Sequence, residues 1–121
     1  MPLARATAAL LAALVLAGCG GEEPTAVVRD ARVEITLDEF FIQPQNVDVA
    51  PGRVRFEVTD RGRLRHSFRL WGPDRAPVEI DTLFPGDTVV RVADLPPGEY
   101  RMVCTVSNHA ELGMTGRLVV R

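Results

Sequence analysis

Three side chains able to bind a metal recur at five-residue steps near the C-terminus: Cys104, His109 and Met114. They sit inside the run Tyr-Arg-Met-Val-Cys-Thr-Val-Ser-Asn-His-Ala-Glu-Leu-Gly-Met that spans Tyr100 to Met114. A thiolate, an imidazole and a thioether are the soft and borderline donors that copper prefers. Two imidazoles and a thiolate in a plane, with a weak axial thioether, make a trigonal copper site. The run supplies three of those four donors. The chain holds only two histidines, so the second imidazole has one source, His66. Taken singly, Met114 reads as a core residue, Cys104 as a small buried hydrophobe and His109 as an ordinary loop histidine. The metal reading comes from the order and spacing of all four.

His66 and Cys104 lie 38 residues apart, so only a folded scaffold brings them together. The elements around them alternate with a period of two, as half-buried strands do. Val33, Ile35 and Leu37 share one face of the first run, and Val54, Phe56 and Val58 share one face of a later run. Leu64, His66, Phe68 and Leu70 share a phase, which places the histidine on the core side. Tyr100, Met102, Cys104 and Val106 share another, and Leu118 and Val120 point inward on the last run. Turn signals punctuate these runs at Ala50-Pro51-Gly52, Asp60-Arg61-Gly62-Arg63, Pro85-Gly86-Asp87 and Leu95-Pro96-Pro97-Gly98. Short strands, frequent turns and no amphipathic helix predict an all-β, antiparallel Greek-key sandwich or barrel of seven to eight strands.

From about Val33 to the C-terminus the chain resembles the cupredoxins, the small blue-copper electron-transfer family. The matching residues are Val49 to Phe56 (Val-Ala-Pro-Gly-Arg-Val-Arg-Phe), His66-Ser67-Phe68, and Tyr100 to Val120. The resemblance implies a cupredoxin-like fold and one type 1 copper per chain, held by His66, Cys104, His109 and Met114. It also implies an electron port at the ring edge of His109, flanked by Ala110, Leu112 and Gly113. Ser67 stands where many family members carry asparagine, whose side chain ties the two ligand segments together. Thr105, after the cysteine, suits a similar hydrogen-bonding role.

The N-terminus is organised differently. Arg5 is the only charge before an Ala/Leu/Val run from Ala6 to Val15, the pattern of a secretory signal and too short for a confident membrane span. Leu16-Ala17-Gly18-Cys19 resembles the bacterial lipobox, which implies a signal peptide over residues 1–18 and lipidation of Cys19. Residues 19–28 then read as lipidated cysteine and flexible tether, with a reach of about 30 Å when extended, and residues 29–121 as the domain. An exported chain would ordinarily pair its two cysteines. With Cys19 consumed by lipid, Cys104 is left for a metal.

The 121 residues, 46% apolar and 25% charged, suit one domain with one core, and the formal charge of -2 argues against nucleic acid as partner. All 14 basic residues are arginine, and seven fall between Arg53 and Arg75, a density expected of a solvated sheet face. The expected function is a membrane-anchored blue-copper electron carrier in the bacterial envelope, monomeric and serving redox-partner proteins. It is not expected to be an enzyme, because one copper site passes one electron at a time. The alternative is a copper-handling protein, a chaperone or scavenger using the same site. Three methionines, one of them the initiator, are few for that role.

Overall fold

The computed structural model describes residues 20–121; Cys19 and the signal expected over residues 1–18 lie outside them. The described residues form ten strands and no helix: β1 (Thr25–Val28), β2 (Arg32–Asp38), β3 (Phe41–Gln43), β4 (Asn46–Val49), β5 (Gly52–Asp60), β6 (His66–Trp71), β7 (Val78–Leu83), β8 (Thr88–Leu95), β9 (Gly98–Val103) and β10 (Thr115–Val120). Alternating residues of each sheet's inner face fill the space between two sheets. One sheet runs β1-β4-β10-β9-β6-β7 and the other β3-β2-β5-β8. Val33, Ile35 and Leu37 of β2 and Val54, Phe56 and Val58 of β5 meet Phe68, Leu70, Met102, Leu118 and Val120 in one core. Phe56 and Phe68 stack across it with ring centroids 6.4 Å apart.

Three expectations change. The sheets are mixed, not antiparallel: β1 with β4, β4 with β10, and β2 with β5 run parallel. Alternation shows which face a strand buries but not which strand lies beside it, and crossovers between the two sheets make these neighbours parallel. The strand count rises to ten because β1 and β3 are too short to show a period. Leu64 is 46% exposed, because β6 begins only at His66 and the residues before it form a loop.

Residues 25–28, read as tether, pair along β4 from Thr25 with Asn46 to Val28 with Val49, and Val28 packs against the core. Among the described residues the first strand therefore begins at Thr25, and the described segment ahead of it is Gly20–Pro24.

These pairings define one end of the sandwich. β5 and β2 end there at Asp60 and Asp38, β6 and β10 begin there at His66 and Thr115, and β9 arrives there at Val103.

Candidate metal centre

Three of the four predicted donors converge at that end. One ligand atom each from His66, Cys104 and His109 lies within 4.8 Å of the others, and all three residues are buried. Nδ1 of His66 is 3.2 Å from Nδ1 of His109, and the Cys104 sulfur is 4.0 Å and 3.8 Å from those two nitrogens. The fourth, Met114, is fully buried in the adjoining core.

Each donor is placed by its backbone. His66 opens β6 in the inward phase expected of it, with no solvent exposure. Cys104 follows β9, and its N–H donates to the Met114 carbonyl at 3.1 Å, closing the ends of the loop onto each other. Within the loop His109 N–H donates to the Val106 carbonyl and Met114 N–H to the His109 carbonyl, each at 3.0 Å. The chain reverses at Gly113, with φ of 127° and the Phe40 carbonyl 2.8 Å from where a Cβ would stand, so both conformation and space require glycine.

The thiol of Cys104 sits among donors. Ser67 N–H donates to its sulfur at 3.4 Å and the Ser67 hydroxyl lies 3.7 Å from it. That hydroxyl also accepts the Thr105 N–H at 2.8 Å and lies 2.9 Å from the Thr105 hydroxyl. Ser67 therefore ties the segment that carries His66 to the one that carries Cys104.

Two residues beside the histidines were not legible in the sequence. Glu39, in the turn between β2 and β3, lies with Oε1 3.0 Å from Nε2 of His66. Its carboxylate also accepts the N–H of Leu64 at 2.8 Å and of Arg63 at 2.9 Å. These bonds, Leu64 first, outweigh partial burial and hold the Glu39 pKa down at about 2. Phe40 packs its ring on His109, centroids 4.9 Å apart. A glutamate in a turn looks solvated in sequence, so only the fold reveals its partner. Asp60 is buried nearby, its Oδ1 4.0 Å from Nε2 of His66, and burial raises its pKa.

Burial lowers the pKa of His109, helped by the charge of His66, so the imidazole is favoured as a neutral donor. His109 keeps 7% exposure while His66 has none, and Leu112 beside it is 51% exposed. Among the arginines between Arg53 and Arg75, Arg55 pairs with Glu57 along β5, and Arg69 of β6 pairs with Glu79 and Asp81 of neighbouring β7. Arg61, Arg63 and Arg65 stand exposed on the loop before His66.

No protein-family model matches the sequence, and no curated protein does. Solved structures do resemble it. A dithionite-reduced auracyanin from the photosynthetic bacterium Roseiflexus castenholzii superposes with a TM-score of 0.69 at 18% identity, over 75% of this chain and 97% of that one. Auracyanin A, a "blue" copper protein from Chloroflexus aurantiacus, gives 0.66 at 20% identity over 79% of this chain and all of that one. A copper-containing nitrite reductase from Thermus scotoductus gives 0.62 at 17% identity over 80% of this chain, which spans 28% of the reductase.

Proposed function

We propose that this chain, an all-β protein with the cupredoxin fold, is a type 1 blue-copper electron-transfer protein. The observation that carries the reading is the convergence of His66, Cys104 and His109, buried, with their donor atoms within 4.8 Å of one another. The donor set fits copper: one thiolate, two imidazoles and, from Met114, a thioether as weak axial ligand. Two imidazole nitrogens 3.2 Å apart beside a sulfur gather three donor atoms where one cation can meet them all. Copper held there would carry one electron by alternating between Cu(I) and Cu(II).

The residues of the chain then have separable tasks. Cys104, surrounded by the donors of Ser67, supplies the thiolate. His66 is sealed from solvent, while His109 keeps an edge at the surface beside Leu112, so electrons enter and leave through His109. Phe40 packs against the His109 ring and limits water there. A buried, pre-built site suits a resident metal better than one handed on to other proteins, which weighs against copper handling.

The finer reading places the protein in the bacterial envelope. The signal over residues 1–18 and the lipidation motif ending at Cys19 support a membrane anchor, with redox proteins as partners and the monomer as working unit. One-electron exchange at a single site supports a carrier rather than an enzyme.

Absorption and EPR spectra of the Cu(II)-loaded protein, beside those of Cys104→Ser, test this reading. An intense visible sulfur-to-copper band with narrow hyperfine splitting, absent from the variant, is expected. A weak tetragonal copper spectrum indifferent to Cys104 would overturn the blue-copper assignment.

A further inference from the structure

We infer that Glu39 is a positioning residue for this site, fixing which nitrogen of His66 faces the metal and lowering the reduction potential through its charge. The inference rests on the copper reading for the potential, but its first half concerns the protein alone.

Glu39 makes three contacts at once. Its carboxylate takes the backbone N–H groups of Arg63 and Leu64, and Oε1 lies 3.0 Å from Nε2 of His66. An ionised carboxylate only accepts, so Nε2 of His66 must carry the proton and donate it. In the neutral ring Nδ1 is thereby left with its lone pair free, and Nδ1 is the atom facing Nδ1 of His109 and the Cys104 sulfur. Among the described residues the other carboxylate within 4.0 Å of this ring's nitrogens is that of Asp60; its Oδ1 is 4.0 Å from Nε2, beyond hydrogen-bonding distance, and accepts the Gly62 N–H at 2.8 Å. The loop is shaped to the contact, because a Cβ on Gly62 would collide with the Glu39 carboxylate.

Charge follows from the same bond. A carboxylate bonded to a ligand imidazole raises its basicity and stabilises the more positive metal state. Cu(II) gains more than Cu(I), so the potential falls. Glu39→Gln keeps a carbonyl able to accept the Nε2 proton but removes the charge. Glu39→Ala removes both.

The test has two readouts. In the metal-free protein, nitrogen NMR of the His66 ring is expected to show the proton on Nε2. In the copper-loaded protein, voltammetry is expected to show a higher potential for Glu39→Gln with the blue band retained, and Glu39→Ala is expected to bind copper about 10- to 100-fold more weakly. A His66 proton on Nδ1 in the wild type overturns the positioning role even if no variant folds. An unchanged potential in a blue Glu39→Gln protein overturns the electrostatic role. Absence of a blue band from the wild type would instead sink the copper reading and leave the NMR result to decide on Glu39.

Discussion

The backbone N–H of Ser67 points at the Cys104 sulfur from 3.4 Å, and the Ser67 hydroxyl stands 3.7 Å from the same atom. One residue thus offers the sulfur a donor from its backbone and a second from its side chain. The backbone donor survives any substitution except proline; the hydroxyl does not.

Ser67→Ala is therefore expected to keep a blue site with a changed potential. Donors to the sulfur favour the state with more negative charge on it, the reduced one, so removing the hydroxyl should lower the potential. The Thr105 N–H also loses its acceptor, a cost of about 1 kcal/mol because Thr105 is exposed and water partly replaces it. Voltammetry and denaturant unfolding read the two effects; identical values for both proteins would count against the tie.

Copper should stabilise the fold by mass action. At free copper 100-fold above its dissociation constant the gain is about 2.7 kcal/mol, or about 10–20 °C in Tm for a domain of this size. Thermal scans with and without copper measure it. Chelation should reverse the gain, and Cys104→Ser should abolish most of it.

Acid should erase the contribution of Glu39 in a set direction. Its pKa in the fold is about 2 against an ordinary 4.5, so its stabilisation is present above about 4.5 and lost as pH falls toward about 2. The stability gap between the metal-free wild type and Glu39→Gln, about 1–2 kcal/mol at neutral pH, should close across that window. Asp60 and His109 titrate in both proteins, so their shares largely drop out of the difference. A gap that widens as pH falls from about 4.5 to about 2 would contradict the assignment.

Where the folded domain begins is open to truncation. A chain starting at Thr25 should unfold at nearly the same urea concentration as one starting at Gly20, since only the bond from Asn46 to the Glu23 carbonyl is lost. One starting at Arg29 loses β1 and the packing of Val28, and should be less stable by about 2 kcal/mol. Equal midpoints for all three would favour a domain that begins at Arg29.

Much of this protein was legible in one dimension. Period-two burial at Val33, Ile35 and Leu37, at Val54, Phe56 and Val58, and at Phe68 and Leu70 follows from side-chain alternation, which is local, and so does the inward placing of His66. The spacing of Cys104, His109 and Met114 announces a soft-metal loop because donor chemistry belongs to residue type. Three things were decided only by the tertiary structure. The parallel pairing of β2 with β5 depends on crossovers that no local pattern encodes. β1 is a strand only because the edge of β4 is there to pair with it. Glu39 meets His66 across 27 positions of sequence, and its carboxylate acquires its role from the two N–H groups and the imidazole that the fold brings to it. Residue type and period determine what a side chain can do; which partner it does it with is a matter of long-range packing.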